Sequence, residues 1–241
     1  MTLKQHFQIE IFKLKRPDFY IYAFIVVASF LLIPLVEKFI TGKGVSMVSL
    51  IKAGGLVGNV LVIYGLIVAL TREFYNNAVR KRILNGYSRQ DLFISQLVIV
   101  ALYIGSIVLA ILVVIPIHWL VGGMSYAEYT AGMAFYKVIG SFLTLVCYGI
   151  FGSFLGVITG KAHWAILVYW GWGILEIPGG FLDIYNVSQG NPEVYKYFMP
   201  LSMFSKVQSY QLQEVGLLVA LVLFLALFQG LSLFKFLKAD F

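Results

Sequence analysis

Thr71-Arg72-Glu73-Phe74-Tyr75-Asn76-Asn77-Ala78-Val79-Arg80-Lys81-Arg82-Ile83-Leu84-Asn85-Gly86-Tyr87-Ser88-Arg89-Gln90-Asp91 is a polar, basic stretch between two long apolar runs. It holds five of the chain's 18 Lys and Arg residues in a sequence that is otherwise mostly hydrocarbon. The pattern predicts one helix of about three turns from Glu73 to Asn85, ended by Gly86, which reaches left-handed backbone without steric cost. Ser88 then opens the next helix. Its hydroxyl can accept from the Asp91 amide while Asp91 reaches back, and Tyr87 can pack onto Leu92 one turn in. A plain connector needs only about four residues, so an ordered charged helix hung outside the apolar runs reads as a contact surface. The same residues also fit a solvated basic loop that only sets topology.

Composition places this stretch in a membrane protein. Of 241 residues, 60% are hydrophobic and 12% charged, and mean hydropathy is +0.88; soluble domains carry about 25% charge. A net charge of +7 would point to nucleic acid in a soluble chain. Here the basic residues fall at the edges of apolar runs, where topology accounts for them, so no nucleic-acid partner is expected. Cys147 is the only cysteine, which excludes a disulfide framework and a thiolate-held metal cluster.

Upstream, Leu3, Phe7, Ile11 and Leu14 recur at helical spacing among lysines, predicting an amphipathic interfacial helix over 3–16 that Pro17 ends. The run 19–36 reads as an uncleaved first span, and 50–70 as the second, with Gly54 and Gly58 four apart for close helix packing. Downstream of the basic stretch, 92–117 forms a long third span. The fourth, 135–159, carries Gly152, Gly156 and Gly160 as a packing ladder. A short fifth span, 164–177, is interrupted by Glu176, Pro178, Gly179 and Gly180. Residues 181–214 are punctuated by aromatics and read as short helices folded back into the outer edge of the membrane. The sixth span is 215–234. The predicted fold is therefore an all-α polytopic membrane protein with six spans in a single domain. Twelve Lys and Arg fall on the side of both termini and the basic stretch, against six on the other, which places that side in the cytoplasm.

Catalytic signatures fail on spacing. Gly156-Val157-Ile158-Thr159-Gly160-Lys161-Ala162 is one residue short of a phosphate loop between its glycines and lacks the hydroxyl residue that would hold magnesium. There is no HExxH, and His6, His118 and His163 are scattered, which favours interfacial histidines over a metal site. No catalytic residue and no metal ligand is expected. Asn186-Val187-Ser188 matches a glycosylation sequon of low specificity. Lys52 and Lys137 lie near span ends, where they can snorkel. Glu176 is the acid deepest in an apolar run, which makes it either a helix-end residue near the outer interface or a functional acid.

The order of parts resembles the ABC-2 type permeases, the membrane subunits of one class of ABC transporters. The likeness rests on the interfacial helix, six spans, a coupling segment between spans two and three, and small re-entrant helices before span six. Locally, Arg72-Glu73-Phe74, Asn77-Ala78-Val79-Arg80 and Tyr87-Ser88-Arg89 are similar to the family's acidic residue, G-T-x-R and later S-R pattern, with Asn77-Ala78 in place of Gly-Thr. Met199-Pro200-Leu201-Ser202 is similar to the Pro-Leu element ahead of the final span. The resemblance implies an exporter in a bacterial inner membrane, with a second permease protomer and membrane lipids as partners; the aromatic, apolar outer segment and the lack of an obvious charged pathway favour a hydrophobic, lipid-like or peptide substrate over an ion. This chain would hold no cofactor; ATP and Mg would be held by a separate ABC ATPase. Glu73, Phe74, Asn77, Val79, Arg80, Arg82 and Ile83 would contact that ATPase, with Phe74, Val79 and Ile83 filling a groove on it. Two other classes fit the same sequence: a carrier or membrane enzyme using Glu176 without an ATPase, and a non-transporting scaffold or immunity protein.

Overall fold

A computed structural model describes residues 3–15, 17–41, 47–122, 131–189, 195–208 and 215–238. Among them the regular structure is helical throughout: α1 (Leu3–Leu14), α2 (Pro17–Thr41), α3 (Met47–Tyr75), α4 (Ala78–Leu84), α5 (Arg89–Gly122), α6 (Ala131–Thr159), α7 (Ala162–Ser188), a 3₁₀ turn (Tyr195–Phe198), α8 (Pro200–Gln208) and α9 (Val215–Lys238). Five of these, α3, α5, α6, α7 and α9, are long and apolar enough to cross a bilayer. In α2 the described apolar stretch, Phe19–Leu32, is shorter than these five.

The bundle is built on α3 and α6, which share its most extensive interface. Between helices surrounded by lipid, burial of apolar surface gives little net drive, so close backbone approach and dispersion must hold them. Gly152 supplies that approach: a Cβ there would lie 3.0 Å from the Ile63 Cα and 3.2 Å from its carbonyl oxygen. One turn on, a Cβ at Gly156 would lie 3.2 Å from the Leu70 Cβ. Gly58 of α3 lies under Ile107, Leu145 and Phe30 in the same way. Gly160 has a different job. It lies beyond the end of α6 with φ +63°, so it terminates the helix rather than extending the packing ladder. The side-chain surroundings of Gly54 lie outside the described residues.

Two apolar clusters flank this pair. One joins α2, α3 and α5 through residues such as Phe30, Leu66 and Ile107. The other centres on Phe151 of α6, whose ring lies against Trp172, Phe204 and Phe228 at centroid distances of 5.6, 6.2 and 5.1 Å. Met203, Phe204 and Val207 are fully buried, so α8 lies with its apolar face on α6 and α9. A polar tie crosses the bundle where Gln96 Nε2 donates to Ser153 Oγ at 3.2 Å.

The fifth span is the main departure from the expected layout. It does not stop at Ile177: α7 runs unbroken through Pro178-Gly179-Gly180 to Ser188, so the sequon lies inside a helix. Proline inside a membrane helix is tolerated when neighbours satisfy the backbone around it. Glu176, Gly179 and Asp183 form one buried stripe along this helix. Glu176 is neither at a helix end nor in solvent. Its two carboxyl oxygens accept from the Leu201 amide at 3.0 Å and the Ser202 amide at 2.8 Å, capping the first turn of α8, whose amides have no acceptor within the helix. Replacing Glu176 with Ala is expected to destabilise the chain by about 1–2 kcal/mol, because two part-buried amides at the start of α8 lose their acceptor. Thermal unfolding in detergent measures the loss, and limited proteolysis should open the chain around α8 first.

Candidate functional site

Helix α3 ends in its own last turn, where the Asn76 amide donates to the Arg72 carbonyl at 3.0 Å and the Asn77 amide to the Phe74 carbonyl at 3.1 Å. Asn77 then takes φ +53°, the one positive φ among described non-glycine residues; Asn tolerates that region better than most side chains. The chain therefore turns before α4. The helix expected over Glu73–Asn85 is in fact two, with Glu73 and Phe74 in α3 and Val79 to Ile83 in α4.

At the far end of α4 the Gly86 amide bonds the Ile83 carbonyl, the Tyr87 amide bonds the Arg82 carbonyl, and Gly86 sits at φ +86°. This paired closure of a helix end is the arrangement glycine permits. The capping box follows: Ser88 N donates to Asp91 Oδ2 at 3.1 Å, and Asp91 N donates to Ser88 Oγ at the same distance. The charged segment is thus a hydrogen-bonded corner between α3 and α5.

Long-range pairs fasten this corner to the rest of the bundle. Arg82 Nη2 lies 3.1 Å from Glu73 Oε1 and 3.5 Å from Glu10 Oε1, so one guanidinium bridges α4, α3 and α1. Glu10 is 1% exposed and Arg82 13%. Four residues before Glu10, His6 lies buried on the same face of α1, with Nε2 donating to Asp91 Oδ1 at 3.0 Å and Nδ1 paired with Ser95 Oγ at 3.1 Å. The polar side of α1 therefore turns inward, while Phe7, Ile11 and Phe12 are exposed. α1 thus leaves its apolar side uncovered on the outside of the bundle. Arg89 reaches the other end of the chain: its Nη1 donates to the Phe236 and Leu237 carbonyls of α9 at 3.1 and 2.5 Å. Phe74 stacks on the Phe236 ring beside it, with centroids 5.9 Å apart.

Of the residues expected to meet an ATPase, Phe74, Val79 and Ile83 pack against the chain's own core. Glu73 and Arg82 are paired with each other. Arg80 and Asn77 face outward together with Lys81, Tyr75 (78% exposed) and Leu84 (76%). Sequence reasoning missed Tyr75 and Leu84 as surface residues because apolar spacing on a helix marks them for burial as readily as Val79. It also read His6 as interfacial, and nothing local could have revealed a partner 85 residues away. His163 is exposed beside Trp164; the side chains of His118, Lys52 and Lys137 lie outside the described residues.

Next to the corner, a cleft of about 360 Å³ runs between α2, α3 and α5, with Tyr22, Tyr64 and Tyr103 along its wall and Arg72, Glu73 and Glu10 at one end.

Taken together, these features define an all-helical chain with five helices able to cross a bilayer and a hydrogen-bonded basic corner tied to its first and last helices, which is compatible with a multi-pass membrane protein. No protein-family model matches the chain, and no curated protein or solved structure is significantly similar to it.

Proposed function

We propose that the chain is the permease subunit of an ATP-driven ABC-2 type exporter. Its six spans would be α2, α3, α5, α6, α7 and α9, with the 3₁₀ turn and α8 as re-entrant elements at the outer edge. In this reading it works as one of two permease protomers in a bacterial inner membrane, with both termini cytoplasmic and ATP and Mg held by a separate ABC ATPase below. The substrate is hydrophobic, lipid-like or a peptide.

The observation that supports this reading best is the corner around α4. A docking element must not bend when pushed, and this one is locked by Arg82 to α1 and α3 and by Arg89 to α9. A push on its outward residues therefore moves the second and third spans and the last one together. The family pattern also has glycine where Asn77 stands, and φ +53° is a conformation that glycine enters freely and Asn next best. The outward set, Arg80 and Lys81 with Tyr75 and Leu84 beside them, combines charge with exposed apolar anchors, as docking surfaces do.

The test is purification from native membranes in mild detergent, with mass spectrometry of what co-purifies and an ATPase assay. An ATPase subunit in about equal amount is expected. Arg80→Glu with Lys81→Glu should reduce its retention at least tenfold, since close like charges at an interface cost several kcal/mol, while leaving the bundle's melting temperature unchanged. An unchanged ATPase yield from the double variant would overturn the assignment of this face.

A further inference from the structure

The cations at the corner's end of the bundle fall into two sets. Arg82 and Arg89 are engaged by partners inside the chain. Lys161, Lys235 and Lys238 are exposed, and among the described residues none of the three has a carboxylate within ion-pair distance.

Two separate contacts bring these lysines together. Phe74 stacks on Phe236 with centroids 5.9 Å apart, and a Cβ built on Gly160 would lie 3.9 Å from the Phe74 Cβ. Lys161 follows Gly160 and Lys235 precedes Phe236, so both are carried on backbone that neighbours Phe74. Higher in the bundle, Phe154 of α6 stacks on Phe228 of α9 at 4.8 Å. The two helices run in the same direction, and seven residues further along each chain segment stand Lys161 and Lys235. That register also sets them at one level. Lys238 lies one turn beyond Lys235, and its Nζ folds back to 4.6 Å over the Phe234 ring, which is 53% exposed. The ring attracts the ammonium but supplies no counter-charge to three cations held close together.

Their depth is that of a lipid headgroup. From Val215 to Lys235 no residue of α9 is charged, a length of about 30 Å at 1.5 Å per residue, which matches the hydrocarbon core of a bilayer. The apolar span of α6, Val138–Thr159, likewise ends just before Lys161. Trp164, in the first turn of α7, is 55% exposed, as aromatic side chains are where a membrane meets water.

We infer that Lys161, Lys235 and Lys238 form a binding site for the headgroup of an anionic phospholipid, on the flank where α6 and α9 end. The ammoniums donate to its phosphate oxygens, and its acyl chains lie along the exposed side of α9, past Phe234 and Leu231. Basic pockets between helices at the membrane surface bind such headgroups. A zwitterionic lipid brings its own cation, for which this cluster offers no carboxylate. An acidic protein surface would match the charge, but Phe234 and Leu231 belong to an apolar span and adjoin the lysines on the side that faces lipid. The inference needs only that the helices lie in a bilayer, so it stands or falls separately from the transport reading.

The experiment is native mass spectrometry of the full chain released from nanodiscs containing equal parts phosphatidylglycerol and phosphatidylcholine with matched acyl chains. Preferential retention of phosphatidylglycerol is expected. A basic residue beside an anionic headgroup contributes about a fivefold change in binding. Lys235→Gln with Lys238→Gln should therefore lower phosphatidylglycerol retention about 25-fold, and adding Lys161→Gln should leave the two lipids equally retained. Arginine at the same three positions should preserve the preference, which separates loss of charge from loss of fold. Arg80→Gln with Lys81→Gln removes two cations from the outward face of α4 and should leave the preference unchanged. Equal retention of the two lipids by the native chain would overturn the site. An equal fall in the α4 variant would also overturn it, since the preference would then follow net charge alone. If the triple Gln variant keeps its preference but loses a protein that co-purifies from native membranes, the lysines serve that protein and the lipid assignment is wrong.

Discussion

Replacing Arg82 with alanine is expected to loosen the corner, at a cost of about 3–5 kcal/mol, the usual cost of breaking a buried ion pair by removing one member. Two carboxylates meet that guanidinium: Glu73 at 3.1 Å and Glu10 at 3.5 Å, the latter 1% exposed. Without Arg82 both acids stay inside the protein as like charges, and α1 loses its tie to α4. Arg80 lies two residues away on the exposed face of the same helix, and Arg80→Ala should change stability by no more than about 0.5 kcal/mol. Thermal unfolding of the two variants in one detergent measures the contrast. Equal melting temperatures would show that the Arg82 bridge contributes nothing and that the corner is held by Val79 and its apolar neighbours. The charges can also be tested without truncation: Arg82→Lys keeps a cation but loses the planar fork, and it should fall between the native chain and Arg82→Ala.

Gly152→Leu is expected to separate α3 from α6. Even a single Cβ there would sit 3.0 Å from the Ile63 Cα, and backbone cannot swing aside as a side-chain tip can. Overpacking by one methyl commonly costs about 1–3 kcal/mol, so Gly152→Ala should destabilise measurably and Gly152→Leu should abolish the folded monodisperse peak in detergent. Gly105 on α5 has no atom within 4 Å of a built Cβ. Gly105→Ala should therefore be neutral or stabilising by up to about 1 kcal/mol, the helix-propensity gain. Fluorescence-detected size exclusion of the three variants separates these outcomes. A normal peak for Gly152→Leu would mean that the two central helices can pack at a wider spacing.

The features that could be read from the sequence are those whose cause is local. Ser88 and Asp91 form their reciprocal cap because both partners lie within four residues, and Gly86 takes φ +86° because a helix end needs left-handed backbone. The long apolar helices follow from composition alone. Reading failed where a distant contact overrode a local preference. Pro178-Gly179-Gly180 is a strong stop signal, yet α7 continues through it, in a segment where Glu176 caps α8 from 25 residues away. The stretch Glu73–Asn85 contains neither glycine nor proline, so the turn at Asn77 carries no strong breaker. On α1, His6 and Glu10 are polar at helical spacing, a pattern that solvent explains as well as burial does, and their partners lie on α4 and α5. Arg82 looked like one of three equivalent basic residues, although its neighbours Arg80 and Lys81 point outward and it alone points in.

The pairing of Arg89 with the end of α9 also sets an order in time. Its carbonyl acceptors lie 147 and 148 residues further along the chain, so a ribosome must add all of those residues after Arg89 before they exist. At about 5–20 residues per second, Arg89 waits about 7–30 s after its own synthesis for those carbonyls to be made. A chain stalled before Phe236 therefore holds the Arg89 guanidinium without these two acceptors, and α9 supplies them to a corner translated well before it.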